Sequence, residues 1–103
     1  MITEANIENY LNVIKDSYAS FNTRMGHRPE LIQRFNNSLR IETGKSYIKV
    51  IKDGSVHSFI VKTDTAKFKA GDVLKAASWK APAKNFARGN IITGELTNIC
   101  WSM

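Results

Sequence analysis

Near Gly44 the spacing of apolar side chains changes from three and four residues to two, so helices come first and strands second. Before the change, Ile7, Tyr10, Leu11, Ile14, Tyr18 and Phe21 share one face of a helix predicted from Thr3 to Asn22. Thr3 is its N-cap, and Glu4 and Glu8 lie near the positive end of its dipole. Met25-Gly26 breaks the pattern. Pro29 then opens a second helix, aligned on Leu31, Ile32, Phe35 and Leu39, that runs to Leu39 or Arg40.

After the change, Lys45 to Lys52 is a strand rich in Tyr, Ile and Val that leads into Asp53-Gly54, a pair suited to a two-residue hairpin turn. Ser55 to Thr63 is the return strand, with His57, Phe59 and Val61 on one face and Val56, Ser58 and Ile60 on the other. Phe68 to Lys75 makes a further strand entered through a glycine turn. Ala76 to Asn90, with Pro82 and no periodicity, is an ordered loop with a helical turn near Lys84 to Ala87. Ile91-Ile92 and then Leu96 to Trp101 supply one or two short closing strands. The order implies an α+β fold in which two N-terminal helices pack on a small antiparallel β-sheet or a partly open β-barrel. A chain of 103 residues has room for one core, so residues 1–103 form a single domain with a helical half, 1–43, and a β-rich half, 44–103.

Charge divides along the same boundary. Residues 1–44 carry five basic side chains against five acidic ones, whereas residues 45–103 carry ten against four, the whole net charge of +6. Such asymmetry points to an anionic partner for the β-rich half, nucleic acid first, beside the plainer reading of a lysine-rich solvated surface. Ser78 to Asn90 interleaves aromatic rings with cations. Lys75, Lys80, Lys84 and Arg88 suit phosphates, with help from Lys49 and Lys52, while Trp79 and Phe86 offer flat faces on which bases stack. The plainer alternative is that both rings belong to the core. The stripe of Tyr10, Ile14, Tyr18 and Phe21 is likewise core or, alternatively, a partner-binding face.

Other chemistries find little footing. His27, His57 and Cys100 are too far apart in sequence, and too few, to suggest a metal site, and no cofactor fingerprint is present. His57 reads as a packed or surface side chain. No nucleophile elbow or Cys-His signature occurs, and Asp53 and Asp72 sit at glycine turns, where aspartate serves turn chemistry, so no enzyme activity is expected. A single cysteine allows no internal disulfide and fits a reducing compartment. No apolar run approaches the roughly 20 residues of a membrane span, and no leader pattern opens the chain.

The blocks Gly44-Lys45-Ser46-Tyr47-Ile48-Lys49-Val50, Ser55 to Val61 and above all Phe68 to Asn90, with its Gly71-Asp72-Val73-Leu74-Lys75-Ala76-Ala77-Ser78-Trp79-Lys80-Ala81-Pro82 core, resemble a family of short, uncharacterised proteins of tailed bacteriophages. The resemblance implies a phage origin and expression in the cytoplasm of an infected bacterial host, but carries no activity. Three expectations follow: an accessory protein binding nucleic acid or another polyanion; a module binding a host or phage protein through the hairpin edge or the helix stripe; or a minor virion component.

Overall fold

The computed structural model describes residues 1–103. Helix α1, Glu4–Arg24, starts where Thr3 Oγ1 accepts the Asn6 N–H at 3.1 Å and the Asn6 side chain accepts the Thr3 N–H at 3.0 Å. This reciprocal capping satisfies two otherwise orphaned donors. Asn22, buried at the other end, accepts the Arg28 N–H through its side chain at 2.6 Å and ties down the turn into α2, Pro29–Ser38. The two helices lock through Tyr18 and Phe35, whose rings stack with centroids 4.2 Å apart.

Five antiparallel strands follow in spatial order of sequence: β1 Arg40–Thr43, β2 Tyr47–Lys52, β3 Ser55–Val61, β4 Asp72–Lys75 and β5 Gly89–Asn90. The sheet is open, with β1 and β5 as its edges, so the barrel alternative is not adopted. Asp53 (φ 46°) and Gly54 (φ 78°) form the β2–β3 turn with the left-handed backbone that a right-twisted hairpin prefers. Strand β1 was not foreseen. Leu39 leaves α2 in an extended conformation with no intervening turn residue, and Ile41 alone is too short an alternation to announce a strand.

One face of the sheet carries the main core. Tyr10, Ile14 and Phe35 from the helices meet Ile48, Val50, Ile60 and Val73, and Ile91, Leu96 and Ile99 from the C-terminal segment complete the cluster. The opposite face carries a smaller cluster of Phe59, Val61, Phe68 and Leu74, under which Tyr47, Val56, Ala76 and Ala87 pack. Burying each of these large side chains is worth roughly 1.5–3 kcal/mol, so both faces contribute to stability.

Several local expectations are corrected. Val50 pairs with Ser58 but Ile51 pairs with Val56, leaving His57 as an extra residue in a bulge. The alternation therefore slips: His57 joins Ser58 on the helix-bearing face, where both meet Tyr10, and Val56 joins Phe59 on the other. Only Asp72–Lys75 of the segment from Phe68 is paired as strand, because Gly71 (φ 89°) and an Asp72 carboxylate that accepts the Lys69 N–H fold the preceding residues into a turn. No helical turn forms at Lys84 to Ala87. Neither Ile91-Ile92 nor Leu96 to Trp101 is strand, because Asn90 Oδ1 accepts the N–H groups of Ile92 and Thr93 at 2.8 and 3.0 Å and reverses the chain. Gly89–Asn90, placed within the loop by sequence, is the final strand instead.

Candidate functional site

The basic residues of the second half are distributed over both faces of the sheet. On the face away from the helices, Lys49 of β2 stands opposite Phe59 of β3. Its Nζ lies 4.6 Å from the centroid of the Trp79 ring and 5.8 Å from that of Phe59. Trp79 reaches it from the tip of a tight excursion closed by pairing of Ala76 with Pro82 and by Ala77 and Ser78 donating to the Ala81 carbonyl at 3.0 Å each. The indole stays 44% exposed, so the lysine caps one part of a ring whose remainder faces solvent.

Lys49 and Lys80 line a shallow cleft of ≈ 370 Å³ together with Lys45, Glu42, Tyr47 and Phe59. A second cleft of ≈ 330 Å³ is lined by Lys67 and Lys84 beside Phe68 and Val61, and shares Ser46 and Tyr47 with the first. Tyr47 is thus flanked by three lysines on one side and two on the other, with Glu42 the single carboxylate in the two linings. Lys67 Nζ donates to the Lys84 carbonyl and lies 5.5 Å from the Phe68 ring centroid, which fixes the loop that bears both lysines. Lys62, whose Nζ donates to the Gly44 carbonyl at 2.8 Å, adds positive charge at the rim.

Phe86 and Arg88 form a separate pair, outside both clefts. The Arg88 guanidinium carbon lies 4.2 Å from the centroid of Phe86, which is 54% exposed, and the buried Arg88 Nε has no hydrogen-bond partner. The Arg88 backbone donates to the Val73 carbonyl at 2.7 Å, which holds this pair beside β4.

Two more of the residues proposed from sequence lie on the other face of the sheet. Lys52 turns to the helix-bearing face, where its Nζ donates to the Trp101 carbonyl at 2.6 Å and lies 5.0 Å from the Trp101 ring centroid. Burial lowers its pKa from the ordinary lysine value, as befits a group withdrawn from solvent. Lys75 pairs with Ser58, and strand alternation places it on the same face as Val73, away from Lys49. Conversely, Lys45, Tyr47 and Lys67 were missed. The first two share with Lys49 the period-two spacing already read along this segment, so the signal was present; Lys67 enters through a loop contact that spacing does not encode.

The helix stripe is not a free face. Tyr10 and Ile14 are fully buried, Tyr18 stacks on Phe35, and Phe21 lies 4.9 Å from Trp101 between ring centroids. The β2–β3 hairpin likewise has no free edge, since β1 and β4 flank it. Ser58 and His57 do converge, with Oγ and Nδ1 2.9 Å apart, but both are fully buried and serve to join α1 to the sheet through the Tyr10 hydroxyl. No three His, Cys, Asp or Glu side chains gather as a metal ion's ligands would, and no helix is long and apolar enough to cross a membrane.

Residues 2–103 match a family described as a family of unknown function, DUF7717. The chain belongs to that family. No curated protein and no solved structure matches it. In this member of DUF7717, the face around Tyr47 combines five lysines with the half-exposed ring of Trp79.

Proposed function

We propose that this chain binds nucleic acid, with a single strand preferred, across the face centred on Tyr47. The observation that carries the reading is the pair of adjoining clefts with five lysines, next to a half-exposed Trp79 held by Lys49. Lysines spaced around a shallow groove neutralise successive phosphates and release counterions, and an exposed indole offers a stacking surface to an unpaired base, worth roughly 1–3 kcal/mol. Phe86 with Arg88 provides a second ring-and-cation pair for a strand that extends past Lys84. The resemblance to tailed-phage proteins makes nucleic acid in the cytoplasm of an infected bacterium the natural setting for such an accessory protein.

Titration of single-stranded and duplex oligonucleotides, followed by tryptophan fluorescence and by anisotropy of a labelled strand, tests the reading. Joint replacement of Lys49 and Lys80 by alanine is expected to weaken binding and to reduce the slope of log K against log salt by about 1 for each lysine removed. Lys75→Ala, on the opposite face, is expected to leave both almost unchanged. Failure to bind at about 50 mM salt, or an affinity indifferent to salt, would overturn the proposal.

A further inference from the structure

The two edges of the sheet are not equivalent. At β5, the Asn90 N–H donates to the Glu95 carbonyl at 3.0 Å, so the chain itself covers that edge. At β1 the phase of the ladder is fixed by the Gly44 N–H, which donates to the Tyr47 carbonyl at 2.9 Å. Main-chain groups of an antiparallel strand alternate in direction, so Glu42 and Arg40 turn theirs toward β2. Ile41 and Thr43 therefore direct their N–H and C=O groups away from the sheet, where no other segment of the chain pairs with them.

A strand left open in this way is a template for another strand, and proteins usually blunt it by keeping it short, with charged side chains or with proline. Here the charges are of opposite sign and two residues apart: Arg40 and Glu42 lie on one face, 60% and 50% exposed, and Ile41 on the other. We infer that β1 pairs with β1 of a second copy across a two-fold axis at Ile41, extending the five strands to ten. In that register the two Ile41 residues exchange N–H to C=O hydrogen bonds through the groups each already points outward. Arg40 then stands opposite Glu42 of the partner subunit, and Glu42 opposite Arg40 of the partner subunit, as a closed, self-complementary contact requires. A two-fold at Thr43 would instead set Glu42 against a glycine and Arg40 against a serine, leaving the two charges, 3.7 Å apart within one chain, with no partner across the seam.

The partner's contribution is positional as well as structural. Arg40, Glu42 and Lys49 occupy the same face, so pairing brings two lysine clefts onto one continuous surface. Their Lys49 residues stand three strand spacings apart and two residues out of line along the strands, roughly 16 Å. Dimer formation does not rest on the nucleic-acid reading and is tested without any nucleic acid.

Sedimentation velocity over a wide range of protein concentration at low salt is the primary measurement. The wild-type chain is expected to show a monomer–dimer equilibrium. Arg40→Glu alone and Glu42→Arg alone each set like charges opposite one another twice and are expected to weaken dimerisation roughly tenfold. The equimolar mixture of these two variants places opposite charges together again in the heterodimer and is expected to recover association, as is the double exchange in one chain. Thr43→Pro, which removes an outward N–H without touching the ladder to β2, is expected to weaken association with an unchanged circular dichroism spectrum. A wild-type chain that stays monomeric at every concentration, or single charge variants that dimerise as the wild type does, would overturn the inference.

Discussion

His57 shows how one extra residue in a strand becomes a pH-sensitive element. Its Nε2 lies 2.7 Å from the Cys100 carbonyl, which accepts only, so Nε2 carries the proton. Nδ1 then accepts from Ser58 Oγ at 2.9 Å, and Ser58 in turn accepts the Tyr10 hydroxyl at 2.7 Å. A second proton on His57 would reverse this chain of donors. Burial pushes its pKa down to about 4 from 6.5, the Cys100 carbonyl opposes that shift, and nearby Lys52 adds to it. Because the folded value is lowered, the stabilisation is present above pH 6.5 and is lost as pH falls toward 4, where the unfolded chain binds the proton first. The full effect is on the order of 3 kcal/mol. Urea unfolding at pH 7, 5.5 and 4 should show this decline, with a shallower one in His57→Gln, whereas an NMR titration that places the His57 imidazole itself near pH 6.5 would refute the account. Tyr10, on the same network, is raised well above the ordinary tyrosine value by burial, so it stays protonated and donating over that range.

Among the elements, the C-terminal segment binds the rest together without being helix or strand. The Trp101 N–H donates to Ser17 Oγ of α1 at 3.1 Å, while its carbonyl accepts Lys52 of β2 at 2.6 Å. Its ring meets Tyr18, Phe21 and Phe35 at centroid distances of 5.0, 4.9 and 6.1 Å. Trp101→Ala should therefore cost roughly 3 kcal/mol in chemical denaturation, near the lower end for a large aromatic because the ring is only partly buried. A loss below about 0.5 kcal/mol, typical of a surface change, would show that the segment merely rests on the fold. The same contrast explains what was legible in advance. The Thr3 cap, the helix stripe and the Asp53-Gly54 turn are each specified by residues a few positions apart, and all three stand where they were expected. The bulge at His57 and the docking of Trp101 depend on partners 43 to 84 residues away, which no local period contains.

At the scale of the whole molecule, the sheet separates two environments. Helices and the C-terminal segment cover one face with apolar packing, while loops cover the other and leave Lys45, Lys49, Lys67, Lys80 and Lys84 around Tyr47. The one-sided charge was readable as a count, but its placement was not: Lys49 and Lys52 lie three positions apart on one strand and so point to opposite faces, and Lys52 is spent on the Trp101 carbonyl. Five lysines gathered around one tyrosine repel one another, with Glu42 the only carboxylate lining the clefts. Simple salt screens that repulsion over a Debye length of about 10 Å at 0.1 M, whereas a multivalent anion occupies several of the sites at once and binds the folded form, where they are gathered, more tightly than the unfolded chain. Linear polyphosphate should thus raise the melting temperature more than sodium chloride of matched ionic strength. Exchanging Lys49 for glutamate should remove much of the excess, because it deletes a cation and places an anion beside Glu42, while Lys75→Glu should preserve it. Equal stabilisation by the two salts would mean that these lysines act only as independent surface charges.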